Sequence, residues 1–270
     1  MLPETMPVCP VRGSVIYPTM VMPIDAGRPI SIRAIDEALA RDRVLLIVSQ
    51  RDKEVETPRP SDLFEVGTAC NILTMRKNPD GSVQVLVQAF ARVRVREWLD
   101  LGDHLEARGE VLADEPGEPI LVKALVREVK DKFQALLKEG KYLAPEVAQF
   151  ILNLEDPSQL ADYVAFHMDF RLEDKQKVLE TANVAERLRA VLVLLEAELA
   201  LIETQRRIQQ QVKEEIDRNQ REYFLREQMK AIQRELHGEE GEQEVEEFRR
   251  KLEALDLPPV VRQEVERELN

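Results

Sequence analysis

The sequence predicts an α+β protein, in which a β-rich lobe precedes a helical bundle and one long helix. Residues 8–114 consist of short apolar stretches separated by Gly, Pro, Asn and Asp, whereas residues 121–179 carry apolar positions at helical spacing. Residues 183–237 contain neither Gly nor Pro. We therefore divide the chain into four regions: a β-rich lobe (1–115), a helical bundle (119–182), a long helix (183–237) and short helices (244–270).

The clearest element of the β-rich lobe is a hairpin. Residues 68–77 and 82–98 flank an Asn-Pro-Asp-Gly turn, in which Pro fixes one backbone dihedral and Gly accepts a positive one. A single short helix is predicted at residues 31–42, with Ser31 as its N-cap. Many short strands and one helix indicate a small, partly closed barrel or sandwich. Apolar residues alternate along the second hairpin strand: Val83, Val85, Val87, Val93 and Val95.

From Pro119 onward, the residue pattern predicts helices. Asp156 before Pro157 is a good helix start, because Asp caps free N–H groups and Pro loses no bond at the first position. Asn183 is the predicted start of the long helix and Gly238 its predicted end. We expect this helix to project beyond the bundle, since about 55 residues span on the order of 80 Å. Apolar residues recur along it at alternating spacings of four and three, as in a coiled coil: Leu188, Leu192, Leu195, Leu199 and Ile202.

Composition limits the location and the partners of the chain. No apolar run approaches the ~20 residues that span a bilayer, and the N-terminus lacks a secretory signal, so we expect a cytoplasmic protein. Cys9 and Cys70 are expected to be reduced core residues. The net charge of -13 disfavours nucleic acid as a partner.

Residue patterns that carry chemistry are missing from the sequence. No two glycines have the spacing of a Walker A loop, and no serine lies in a nucleophile-elbow pattern or is singled out for a Ser-Lys dyad. His104, His167 and His237 are too scattered to suggest a zinc site. We therefore expect this chain to hold no catalytic centre, no metal and no cofactor.

Four segments resemble Lon proteases. Residues 6–29 read MPVCPVRGSVIYPTMVMPIDAGRP, with the Tyr-Pro turn and Gly-Arg pair of the Lon opening. Residues 156–165 read DPSQLADYVA, and residues 184–188 read VAERL. The most specific segment is 220–236, QREYFLREQMKAIQREL, which belongs to the protease rather than to stand-alone proteins of the same N-terminal fold.

This resemblance implies the fold and role of the chain. It implies a PUA-like pseudo-barrel, a helical lobe and a long helix that leads to an AAA+ module and a Ser-Lys protease domain. ATP and Mg²⁺ would be cofactors of that further part. It also implies a homo-hexameric enzyme that degrades misfolded, damaged and selected regulatory proteins, in which this region recognises substrate.

A candidate substrate-binding patch follows from the first segment. Two prolines limit strand pairing there, and methionine offers an adaptable apolar contact. If these residues are exposed, they form a patch that would bind unfolded substrate. Met20, Met22 and Ile24 could equally point inward as alternate residues of a strand and fill the barrel. The candidate residues are Ile16, Tyr17, Pro18, Met20, Met22 and, from the hairpin, Met75.

The long helix supplies a second candidate surface, for contact between subunits or coupling to the motor. The alternative is that this helix is only a spacer. For the chain as a whole, an alternative to substrate recognition is a purely structural oligomerisation scaffold. A nucleic-acid-binding module is a further alternative, because Arg92, Arg94 and Arg96 alternate on one strand and would meet phosphates. The candidate helix residues are Tyr223, Phe224, Leu225, Met229, Ile232 and Leu236.

Overall fold

The computed structural model describes residues 2–139 and 143–253. One compact unit, Met1–Ile202, contains the strands, the first five helices and the start of the sixth, and the rest of that helix lies in a second unit, Glu203–Asn270. The elements are β1 (Met6–Val11), β2 (Val21–Ala26), α1 (Pro29–Ala40), β3 (Val44–Ser49), β4 (Val66–Lys77), β5 (Val83–Asp100), β6 (Leu105–Val111), α2 (Pro119–Lys138), α3 (Pro145–Asn153), α4 (Pro157–His167), α5 (Leu172–Glu180) and α6 (Val184–Glu253). This arrangement confirms the predicted α+β class.

The strands form a mixed sheet that closes on itself. Their order is β2-β5-β4-β3-β1-β6, and a further pairing between β5 and β6 completes a ring of five strands. β1 and β3 are parallel, and the other paired strands are antiparallel. Among the described strands β2 pairs only with β5, so it forms an edge. Pro23 suits this edge because it has no N–H to donate.

One extra residue in β5 changes the face that its valines present. Ala89 and Ala91 pair with consecutive residues of β4, Cys70 and Ala69, so Phe90 between them is bulged. The predicted alternation of valines is present, but the bulge divides it between two cores on opposite faces of the sheet. Val83, Val85 and Val87 pack in a core with α1, and Val93 and Val95 pack in a second core with β1 and β3.

The hairpin turn forms as predicted, whereas α1 begins earlier than predicted. Gly81 has a φ of 85°, and its N–H donates to the carbonyl oxygen of Asn78 at 3.1 Å. The first residue of α1 is Pro29, and its N-cap is Arg28. Ser31 is buried inside the first turn, so its assignment as the cap is wrong. The reason is that proline is well suited to the first position of a helix.

The predicted starts of α4 and α6 are confirmed by their caps. The Asp156 carboxylate accepts a hydrogen bond from the Gln159 N–H at 3.0 Å. The Asn183 side-chain oxygen accepts from the N–H groups of Ala185 and Glu186, both at 3.1 Å. Each cap satisfies N–H groups that the first helical turn leaves without a partner.

The sheet and the helical bundle share a hydrophobic core. Val15, Tyr17, Met20 and Val66 contribute the sheet side of it. The Tyr17 hydroxyl also donates to the backbone oxygen of Lys175 at 2.8 Å. The β-rich lobe and the bundle, predicted as separate regions, therefore belong to one unit. The helical side of this core includes Leu125, Val129, Phe133, Ile151, Leu160, Val164, Leu188, Val191 and Leu195.

Helix α6 continues to Glu253, past its predicted end at Gly238. A glycine costs a helix about 1 kcal/mol relative to alanine, which the strong helix formers around Gly238 and Gly241 outweigh. The separate helix expected from residue 244 is therefore the end of α6 as far as Glu253. The helix predicted after Pro259 lies outside the described residues.

Both cysteines are free and buried in the core beside α1, as predicted. Desolvation raises the pKa of the Cys9 thiol to about 11 and also raises the pKa of the Cys70 thiol. The thiols are therefore kept in their neutral form. None of the helices in the described residues combines the length and the hydropathy that a bilayer span requires.

Candidate functional site

The candidate substrate-binding patch is divided by the fold. Ile16, Tyr17 and Met20 are buried, with 3%, 0% and 4% of their surfaces exposed, so they do not form an exposed patch. Tyr17 and Met20 fill the core shared with the bundle because the segment that connects β1 to β2 packs against the helices. Met22 and Met75 are partly buried against the core beside α1. The inward orientation, which the sequence left open, is the observed one for most of this stretch.

Two clefts lie beside β2. The first, which we call the β1–β2 cleft, has a volume of about 320 Å³ and includes Ile16 and Met22 in its lining. Its polar side chains already have partners, since Arg28 donates to the Pro10 carbonyl and to Gln50, both at 2.5 Å. The second has a volume of about 280 Å³ and includes Pro18.

We call this second site the fork cleft, because β2 and β6 diverge there along the same edge of β5. The β2 pairing ends at Gln88, and that of β6 begins at Val93. Phe90 and Ala91 lie in the gap between them. The lining of the fork cleft comprises Pro18, Thr19, Phe90, Ala91, Arg92, Val111, Leu112, Ala113, Asp114, Asp156, Ser158, Gln159 and Asp162.

The rim of the fork cleft is apolar and its backbone is strained. Phe90 is 38% exposed and Val111 is 51% exposed. Thr19 has a φ of 68°, a conformation that is rare for a β-branched residue. Its N–H donates to the Ala89 carbonyl at 2.9 Å, which fixes this turn against β5. Bulges and strained residues are frequent at functional sites.

The floor of the fork cleft is a network of buried charges. Arg92 on β5 donates to both oxygens of Asp162 on α4, at 2.5 and 2.6 Å, and to Asp114 at 3.3 Å. Arg187 on α6 donates to Asp114 at 2.6 Å and to the Ser158 hydroxyl at 2.6 Å. The network thus joins the sheet, the linker after β6 and two helices.

The two carboxylates of this network have pKa values shifted in opposite directions. Desolvation raises the pKa of Asp162 to about 6, against the opposing effect of Arg92 and Arg187. Partial desolvation also acts to raise the pKa of Asp114, but hydrogen bonds from Arg187 and Ser158 outweigh it and hold that pKa below its usual value. Asp114 is therefore the more firmly ionised of the two.

The arginine stripe of the nucleic-acid alternative does not form one basic surface. Arg92 is 4% exposed and is neutralised by Asp162 and Asp114. The exposed Arg96 is paired with Glu110. The stripe breaks up because the bundle covers Arg92 whereas Arg96 stays at the surface, so the feature that favoured phosphate binding is absent.

Sequence reasoning missed Phe90, Val111 and the Arg92–Asp162 pair. One signal was available, because Phe90 occupies a polar position in the alternation of β5, between Gln88 and Arg92. The partnership of Arg92 with Asp162 had no such signal, since the two residues lie 70 positions apart. Only the packing of the bundle on the sheet brings them together.

In the second unit the predicted helix residues lie on exposed positions. Tyr223, Phe224, Leu225 and Met229 are each more than half exposed, at 69%, 60%, 56% and 63%. Ile232 is likewise exposed. The side chain of Leu236 lies outside the described residues. These side chains are available for contact, and their role stays a prediction.

Histidine positions give no metal centre in the described part of the chain. His104 is buried, with Nδ1 at 2.6 Å from Asp103 and Nε2 at 3.3 Å from Glu106. Glu106 in turn accepts from Arg41 at 2.6 Å. Among the side chains that the structure describes, no group of three from His, Cys, Asp or Glu is arranged to hold a metal ion.

Comparisons with known proteins agree on one family. The ATP-dependent protease La (LON) substrate-binding domain matches residues 5–197. Lon protease of Brevibacillus choshinensis is 38% identical over 98% of this chain and 34% of its own length. Lon protease 1 of Thermus thermophilus is 42% identical over 98% of this chain and 34% of its own length. The chain thus spans 34% of the length of each of these relatives.

A solved structure supports the same assignment. The N-terminal domain of Mycobacterium avium complex Lon protease aligns with a TM-score of 0.60 and 26% identity, over 72% of this chain and 98% of that domain. The family match, the curated relatives and the fold therefore agree. The chain belongs to the Lon protease family and contains its N-terminal substrate-binding domain.

Proposed function

We propose that this chain is the substrate-recognition and assembly region of a cytoplasmic, ATP-dependent Lon serine protease that degrades misfolded, damaged and selected regulatory proteins. It binds exposed apolar or unfolded segments and passes them to an AAA+ motor, which uses ATP and Mg²⁺, in the remaining length of the protein. The observation that carries the proposal is that the substrate-binding family match, residues 5–197, coincides closely with the compact unit Met1–Ile202.

Exposed apolar side chains on this unit support recognition of unfolded chain. Val21, Phe90 and Val111 are 54%, 38% and 51% exposed on strands of the sheet. Unfolded segments differ from folded surfaces chiefly in the apolar side chains that they expose, so apolar contacts distinguish the two. A surface of this kind needs no particular sequence in its partner.

The test is an NMR titration of the isotope-labelled chain with one protein in two forms, native and reduced with alkylated cysteines. We expect resonances of the first unit to shift only with the unfolded form. Equal shifts with both forms, or none with either, would contradict recognition of unfolded segments by this chain.

We also propose that the second unit serves assembly of the homo-hexamer. A polar helix that exposes apolar residues at coiled-coil spacing needs a partner helix or domain to bury them. Leu225, Met229 and Ile232 follow one another at spacings of four and three, and each is more than half exposed.

Its test compares assembly of the full-length enzyme with and without polar substitutions at these positions. Leu225→Ser combined with Met229→Ser is expected to reduce the hexamer fraction in sedimentation velocity, because two apolar contacts are lost. Gln220→Ser on the same helix is the control and should leave the distribution unchanged. Unchanged assembly of the double variant would leave α6 as a spacer.

A further inference from the structure

The fork cleft has a partly exposed apolar rim above a charged floor. Phe90 lies in the gap between β2 and β6, and Val111 ends β6 beside it. A volume of about 280 Å³ is near the lower end of ligand pockets, which suits side chains of a flexible segment better than a folded surface. The rim therefore suits an apolar or aromatic side chain.

The floor favours a cationic group. Three carboxylates, Asp114, Asp156 and Asp162, line the fork cleft. The guanidinium groups of Arg92 and Arg187 neutralise Asp114 and Asp162, whereas Asp156 is exposed and only caps α4. The remaining negative charge, that of Asp156, matches a lysine or arginine side chain, and the net charge of -13 adds attraction at longer range.

A free donor lies among the floor residues. Arg92 is 4% exposed, and its Nε–H has no hydrogen-bond partner among the residues that the structure describes. Because buried donors are nearly always paired, this unpaired N–H is an unusual feature of the floor. A cation-binding floor and an aromatic rim together suit neighbouring side chains of an extended peptide.

We propose that the fork cleft binds extended peptide segments in which a basic residue neighbours a large apolar or aromatic one. The apolar side chain packs on Phe90 and Val111, and the basic side chain reaches Asp156. Successive side chains of an extended segment point in opposite directions, so neighbouring residues can meet rim and floor. This inference rests on the proposed function and specifies which unfolded segments the domain prefers.

The experiment measures fluorescence anisotropy of two labelled, unstructured peptides with the 270-residue chain. One peptide alternates phenylalanine with lysine, and the other has glutamate in place of lysine. We expect the lysine peptide to bind about tenfold or more tightly than the glutamate peptide at low salt. Equal affinities would overturn the proposed charge preference.

Two variants place the binding in the fork cleft. Phe90→Ser is expected to weaken both peptides about tenfold, the loss expected for one aromatic contact. Asp156→Asn keeps a side-chain oxygen to cap α4 but loses the charge, so it should reduce only the preference for lysine. Phe150→Ser removes an aromatic side chain of similar exposure on α3, outside the cleft, and should change neither affinity.

The outcomes separate this inference from the proposed function. Thermal unfolding of each variant shows whether it is folded, and Asp156→Asn tests the site even where Phe90→Ser is unstable. A folded Phe90→Ser protein that binds both peptides and unfolded protein like the wild type would overturn the fork cleft and leave recognition by this domain intact. A wild-type chain that binds neither peptide nor unfolded protein would overturn both.

Discussion

At the scale of single residues, the most consequential feature is the buried charge network. Arg92, Asp162 and Arg187 are each no more than 4% exposed, so little water screens them. A buried ion pair contributes little net stability, but removal of one partner leaves an uncompensated charge in the interior. The network is therefore sensitive to any change of a single member.

We expect Asp162→Asn to lower the free energy of unfolding by about 3–5 kcal/mol, because Arg92 loses the carboxylate that neutralises it. Urea unfolding followed by circular dichroism measures this loss. Asp156→Asn is the matched control, being the same change at the exposed cap of the same helix, where asparagine also caps well. A loss for Asp162→Asn no larger than for the control would show that the network is not needed for stability.

The two cysteines give a second prediction at this scale. Burial raises the pKa of both thiols, so at neutral pH the folded chain presents neither a thiolate nor an accessible sulfur. We expect alkylation by iodoacetamide, measured by mass spectrometry, to be negligible in the folded chain and complete in denaturant. Rapid modification of Cys9 or Cys70 without unfolding would contradict this prediction.

At the scale of secondary structure, the sequence predicts the features that depend on a few neighbouring residues, such as helix caps and turns. The cap at Asn183 and the turn at Gly81 were predicted because each depends on a few neighbouring residues. Ser31 was misassigned because Pro29, two positions earlier, starts the helix instead. The bulge at Phe90 was missed because a regular alternation of valines runs through it, and only pairing with β4 reveals the extra residue.

The approach of β3 to β4 gives a prediction for this scale. A Cβ atom on Gly67 would lie 2.5 Å from the Ile47 carbonyl oxygen, too close for the two strands to stay in place. We expect Gly67→Ala to lower the free energy of unfolding by about 1–3 kcal/mol. Gly27→Ala is the control, since a Cβ there meets nothing within 4 Å and the φ is not positive. Equal melting temperatures for the two variants would contradict the prediction.

At the scale of the whole molecule, the shared core makes the sheet and the bundle interdependent. The sequence separated them because their periodicities differ, but periodicity does not show which apolar faces meet. For the same reason, the sequence identified the apolar residues of the candidate patch but not what they contact. Tyr17 and Met20 were recognised as apolar and notable, yet their partner turned out to be the bundle rather than a substrate.

We expect a fragment of residues 1–116 to be poorly folded, because it would expose Val15, Tyr17, Met20 and Val66. Residues 1–202 are expected to unfold in one cooperative transition. Differential scanning calorimetry and binding of the dye ANS test both expectations. A fragment 1–116 that melts cooperatively and binds no dye would show that the sheet does not depend on the bundle.

The bulge in β5 also constrains how the length of this strand can vary in evolution. Removing a single residue from the regularly paired residues 83–88 of β5 would move the side chains beyond it to the opposite face of the sheet. Loss of Phe90 would instead leave Ala89 and Ala91 beside their present partners in β4. A homologue with one residue fewer in the part of this strand that pairs with β4 is therefore expected to lack this position, and with it the aromatic side chain at the fork.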